Sequence, residues 1–158
     1  MIDFRKISLD ESTDTLSQIS NVKTTYFSVN PYLDNVNLIK KKLVQKNINV
    51  YNAYIENQIV GVFLIEIIDF TDDLAVIDFL CLKDNVLECD ILIVEFLDII
   101  HDIYNIGIFI KFEEINDERL SSFQKIGFCE IANLNNHLFY DGVFHNQRLY
   151  FIDWREAG

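Results

Sequence analysis

Proline is almost missing from this chain, which carries 1 Pro, 5 Gly and 3 Cys in 158 residues. So little Pro and Gly excludes collagen-like repeats and flexible low-complexity linkers. No internal repeat or composition break divides the chain, and a single domain over residues 1–158 is expected. Cys81, Cys89 and Cys129 are odd in number and form no CxxC pair, which excludes a disulfide framework and a zinc knuckle. Cys81, in an apolar run, and Cys129, after Phe128, are expected as core thiols. No uninterrupted apolar run is long enough to cross a bilayer. The start, MIDFRKISLDES, lacks the basic-then-apolar form of a signal peptide, so a cytoplasmic location is expected.

Basic residues are also scarce. Thirteen Lys and Arg face 25 Asp and Glu, giving a net charge of −12 and a sequence pI near 4.5. Such a surface repels nucleic-acid phosphates and anionic membranes, and neither is an expected partner. It attracts cationic partners such as polyamines, aminoglycosides or a basic protein terminus, although solubility explains most of the charge.

What is abundant is apolar: 50% of residues are hydrophobic and 13% aromatic, enough for a packed core. Taken in order, IDFRKIS predicts a first strand, and residues 9–21 a weakly patterned helix. Tyr26 and Phe27 follow, with packing as their simplest use. Asn30-Pro31 opens a second helix, whose stripe Leu33, Val36, Leu38, Ile39 and Leu43 runs through Gln45. Its Lys40-Lys41-Lys42 run reads as a solvated face. Residues 49–56 and 59–70 predict two strands joined by Glu56-Asn57-Gln58, the second buried on both faces. Residues 74–82 (LAVIDFLCL) predict another buried strand. A third helix starts at Asn85 with Glu88 in a capping-box pattern. It turns Leu92, Phe96, Ile99, Ile100 and Ile103 inward and Glu95, Asp98 and Asp102 outward. Residues 107–116 predict the fifth strand.

The last third, NDERLSSFQKIGF and onward, combines several local rules. Asn116 can cap a short helix, followed by Asp117 and Glu118 at its positive end. Gly127 stands where a left-handed residue ends that helix. Asp141-Gly142 is a two-residue hairpin signal, which pairs Tyr140 with Val143, Phe139 with Phe144, Leu138 with His145 and His137 with Asn146. That register puts His137 and His145 on opposite faces, and His101 sits apart on a helix, so no metal set emerges. Neither a nucleophile elbow nor a P-loop is present.

Asn116, Lys125, Gly127 and Phe128, at their observed spacing, resemble the C-terminal motif of the GNAT acetyltransferases. The closing LFYDGVFHNQRLYFI is similar to the last hairpin of the subgroup acting on spermidine and on ribosomal-protein N-termini. The element order agrees along the whole chain. The resemblance implies an α/β GNAT fold: a mixed, mostly antiparallel sheet of six to seven strands with about four helices. It implies transfer of an acetyl group from acetyl-CoA to the amine of a small cationic or peptide substrate. It also implies that the fourth strand splays from the fifth and offers backbone groups to the pantetheine arm. By that resemblance Phe79, Cys81, Leu82 and Lys83, with Asn116 and Phe123, line the acetyl-CoA site.

Two positions depart from the family pattern. The segment Lys83-Asp84-Asn85-Val86-Leu87-Glu88-Cys89-Asp90, at the expected pyrophosphate loop, has no glycine and carries three acids. Phe123 stands where the family has a tyrosine that protonates the leaving thiolate. For a general base, Asp78 interrupts an apolar strand and must be paired or titrate abnormally, and Glu66 and Glu114 are further strand carboxylates. Val76 takes the place of the family's strand-four Glu, and Asp78 shares its face. A divergent N-acyltransferase is therefore the leading expectation. The alternative is a catalytically inactive GNAT-fold protein used for binding, sensing or assembly. Apolar C-terminal strands make a homodimer the candidate assembly.

Overall fold

The computed structural model describes residues 1–8, 40–41, 43–44, 47–68, 73–81, 86–113, 120–140 and 142–157, with backbone alone at 81, 86–88, 138–140 and 157. Among the described residues there are seven strands: β1 (Asp3–Lys6), β2 (Ile48–Ile55), β3 (Gln58–Ile67), β4 (Leu74–Cys81), β5 (Ile108–Phe112), β6 (Cys129–Tyr140) and β7 (Val143–Asp153). The described helices are α1 (Val86–Tyr104), α2 (Leu120–Lys125) and α3 (Trp154–Ala157). The strands form one sheet in the order β1-β2-β3-β4-β5-β7-β6. Every neighbouring pair is antiparallel except β4 and β5. This is the expected mixed, mostly antiparallel α/β sheet. The first two expected helices fall largely outside the described residues, although Leu43 of the second is buried as its stripe requires.

β3 is central, and Val60 to Ile65 are buried on both faces. On the helix-covered face, Phe63 lies between Phe79 and Phe96, with ring centroids 4.4 and 4.0 Å away. The opposite face gathers Leu43, Ile48, Val50, Val62, Leu64, Val76 and Leu80. α1 covers the first face with Leu92, Ile93, Phe96, Leu97 and Ile100 buried, while Glu95, Asp98 and Asp102 face solvent. Ile103, expected to face inward, is 60% exposed. It stands in the last turn, on the flank of an arc centred on Ile93, Leu97 and Ile100.

The turns follow from local chemistry. β2 and β3 are joined by two residues, Glu56 and Asn57, both at positive φ (50° and 64°), as a type I′ turn requires. The loop is thus one residue shorter than expected, because Gln58 already pairs with Ile55. α2 ends as Gly127 (φ 116°) lets the Phe128 N–H donate to the Phe123 carbonyl and the Gly127 N–H to that of Gln124, both at 3.1 Å. These are the two hydrogen bonds of a Schellman cap, and Phe128 packs edge-on against Phe123 at 5.2 Å. The β6–β7 hairpin keeps the expected register from Tyr140–Val143 to Leu138–His145. Beyond it the ladder shifts to Leu134–Gln147, so the expected His137–Asn146 pair is replaced by a bulge in which the Asn146 side chain accepts from the Asn136 N–H. Cys129 is exposed at the start of the edge strand β6, not in the core, whereas the Cys89 side chain is buried. No described helix is long and apolar enough to cross a membrane.

Two outcomes are expected here. A Cβ at Gly61 would overlap the ring edge of Phe79, so Gly61→Ala should lose about 1–3 kcal/mol in urea unfolding. The Tyr51 hydroxyl bonds that of Tyr104 at 2.9 Å. Burial first, then that bond and the neighbouring phenol's charge, push the Tyr51 hydroxyl above its ordinary range. A raised acid leaves stability intact below the unfolded value and loses it as pH rises, so stability should fall above about pH 10. Tyr51→Phe should flatten that fall when unfolding free energies near pH 8 and near pH 11 are compared.

Candidate functional site

The parallel ladder between β4 and β5 is short. Leu74 pairs with Ile108, Ala75 with Phe109 and Val76 with Ile110, and there it stops. β4 continues against β3 to Cys81, and β5 continues against β7 to Phe112. The two strands therefore part, leaving backbone edges facing each other across an opening.

Asp78 and Lys111 stand at that opening. Asp78 lies two residues beyond the last paired residue of β4, and Lys111 is the residue after the last one of β5. Alternation places Asp78 with Val76 and Leu80, on one face of the sheet, and Lys111 with Phe109, on the other. Their head groups nevertheless meet at 3.5 Å, because no ladder separates them. Asp78 is 1% exposed and Lys111 0%. Asp78 Oδ1 also accepts from the Phe79 N–H at 2.8 Å, an edge amide of β4. Lys111 Nζ donates to the Phe112 carbonyl at 2.5 Å and lies 5.5 Å from the centre of the Phe123 ring. Phe123, fully buried on α2, forms the wall on that side. The pair can be held buried because each charge has hydrogen bonds besides its partner.

The expected site residues divide three ways. Asp78, the Phe79 amide and Phe123 meet at this opening. The Phe79 ring does not, since it stacks on Phe63 in the core. Glu66 is half-buried opposite Val76, at the end where β4 and β5 still pair, and so stands away from the opening. Cys81 ends β4, with its backbone opposite Gly61. Leu82, Lys83, Glu114 and Asn116 lie outside the described residues, as does the glycine-free segment up to Asn85. Lys111 is the residue that sequence reasoning passed over. Its signal was there: a lysine inside the apolar strand IFIKF poses the same burial problem as Asp78. Among the described residues no cluster of His, Cys, Asp and Glu can hold a metal ion.

No protein-family model matches the sequence, and no curated protein matches it significantly. Solved structures do. A spermidine N-acetyltransferase from Vibrio cholerae, in complex with CoA and spermine, superposes with a TM-score of 0.76 at 14% identity, covering 99% of this chain and 97% of that one. A variant of the same enzyme reaches 0.78 at 13% identity over 99% and 95%. A dodecameric form gives 0.75 at 13% over 98% and 95%. The chain has the GNAT fold. In the GNAT arrangement implied by the sequence, the opening between β4 and β5 takes the pantetheine arm of acetyl-CoA. The residues present do not fit that arm. Two buried head groups occupy the opening, and Asp78 already satisfies the β4 edge amide at Phe79.

Removing one member of the pair strands the other charge. Lys111→Met alone should cost about 3–5 kcal/mol, whereas Asp78→Leu with Lys111→Met should recover most of that loss. Urea unfolding of wild type, both single variants and the double variant gives the coupling energy directly.

Proposed function

We propose that this GNAT-fold chain works as a binding protein for a cationic amine or basic peptide and does not use acetyl-CoA. One observation carries the proposal: the buried Asp78 and Lys111 head groups meet at 3.5 Å in the opening that acetyl-CoA would enter. Phe123 agrees, having no proton to give a leaving thiolate. The class of partner follows from the net charge of −12, which attracts cations over a Debye length of about 8 Å at physiological salt. Ile131, Val143 and Phe144 are exposed on the β6–β7 hairpin, and they favour self-association as a homodimer. A cytoplasmic setting goes with this reading.

A second reading is a divergent N-acetyltransferase of a cationic amine. It is favoured by superposition over nearly the whole chain on an enzyme whose structure contains CoA and spermine. It requires Lys111 to leave the opening before a donor can enter.

Thermal-shift and calorimetric titrations with acetyl-CoA, CoA and spermidine separate the two. The binding reading expects no response to either CoA compound. It expects a saturable, salt-sensitive stabilisation by spermidine, about 2.7 kcal/mol at a hundredfold excess over Kd. Stabilisation by acetyl-CoA together with thiol release on adding the amine would establish transfer instead. No response to spermidine at low salt would remove the proposed ligand class.

A further inference from the structure

The Lys111 ammonium is held by groups from three elements. β4 supplies the Asp78 carboxylate at 3.5 Å. β5 supplies the Phe112 carbonyl at 2.5 Å. α2 supplies the Phe123 ring, with its centre 5.5 Å away. These are the three kinds of group that recognise a primary alkylammonium: an opposite charge, a strong neutral acceptor and an aromatic π face. Lys111, Asp78 and Phe123 are between 0% and 1% exposed, so the interaction operates with little screening by water.

We propose that Asp78, the Phe112 carbonyl and Phe123 form a binding site for a primary alkylammonium ion, occupied within the chain by the side chain of Lys111. The lysine serves as a tethered ligand. Its four-carbon stem fills the approach and its head group fills the site. A free amine gains nothing by entering this site in the wild-type protein, because it would exchange one ammonium for another and leave Lys111 unpaired. Shortening the lysine empties both approach and site while leaving every recognising group in place. The inference goes beyond the proposed function, and it holds whichever way the spermidine and acetyl-CoA titrations fall.

Lys111→Ala removes three methylenes and the ammonium, which together are n-propylammonium. The variant should be destabilised, and n-propylammonium chloride should raise its melting temperature saturably, by on the order of 5 °C relative to sodium chloride at equal ionic strength. Wild type should show no such difference. 1-Propanol, which lacks the charge, and tetramethylammonium, which lacks the N–H donors and is bulkier, should both fail. Asp78→Asn with Lys111→Ala should fold without a stranded carboxylate and lose the response. If Lys111→Ala alone does not fold, refolding in n-propylammonium should restore a cooperative transition, and failure to restore it overturns the proposal. The proposal is also overturned if wild type responds equally, if 1-propanol works as well, or if the response survives in the Asp78→Asn background.

Discussion

Two charges that meet where two strands part are the constraint on which this site depends. β4 and β5 share three paired residues and then separate, so each has a backbone edge that the sheet does not satisfy. A buried edge amide cannot be left alone, because an unmade hydrogen bond in the interior costs about 1–3 kcal/mol. At Phe79 the neighbouring Asp78 carboxylate takes that role. Burying the carboxylate then creates a larger demand, for an isolated buried charge is far more costly than an unpaired amide. Lys111 meets it from across the opening, and its ammonium also donates to the Phe112 carbonyl. Each group is present because the preceding one needs it, and the chain of demands ends with the opening filled.

The scaffold around the opening obeys different rules. Gly127 ends α2 because a positive φ is needed there, and the resulting cap seats Phe128 against Phe123. Gly61 admits the Phe79 ring, which stacks on Phe63 and so fixes the backbone on which Asp78 is carried. These positions set where the β4 edge, the β5 edge and the α2 wall stand relative to one another. This is why the fold persists at 12–14% identity to the structures it matches. Apolar alternation, a glycine at a turn and a capped helix can be supplied by many sequences, whereas a donor slot needs particular groups at particular atoms.

The same distinction explains what the sequence made legible. The order of the strands along the chain, the helix that follows β4, the Gly127 stop and the hairpin register near Asp141-Gly142 rest on local rules, and they could be read residue by residue. The misses came from partners distant in sequence. Cys129 looked like a core thiol from its apolar neighbour, but it opens an edge strand, which only the strand order reveals. The bulge beyond Leu138 depends on the Asn146 side chain reaching back to Asn136. Asp78 was recognised as an acid that had to be paired, yet its partner lies 33 positions along the chain, on a strand parallel to its own. Each half of the pair breaks an apolar strand and was visible separately. That they answer each other is a property of the topology.

Phe123 links the scaffold to the site. Its ring, fully buried on α2, lies with its centre 5.5 Å from the Lys111 ammonium. A phenylalanine adds only its π face, which attracts the cation and asks for no hydrogen bond in return. Phe123 and Lys111 therefore suit each other in the same way that Lys111 and Asp78 do.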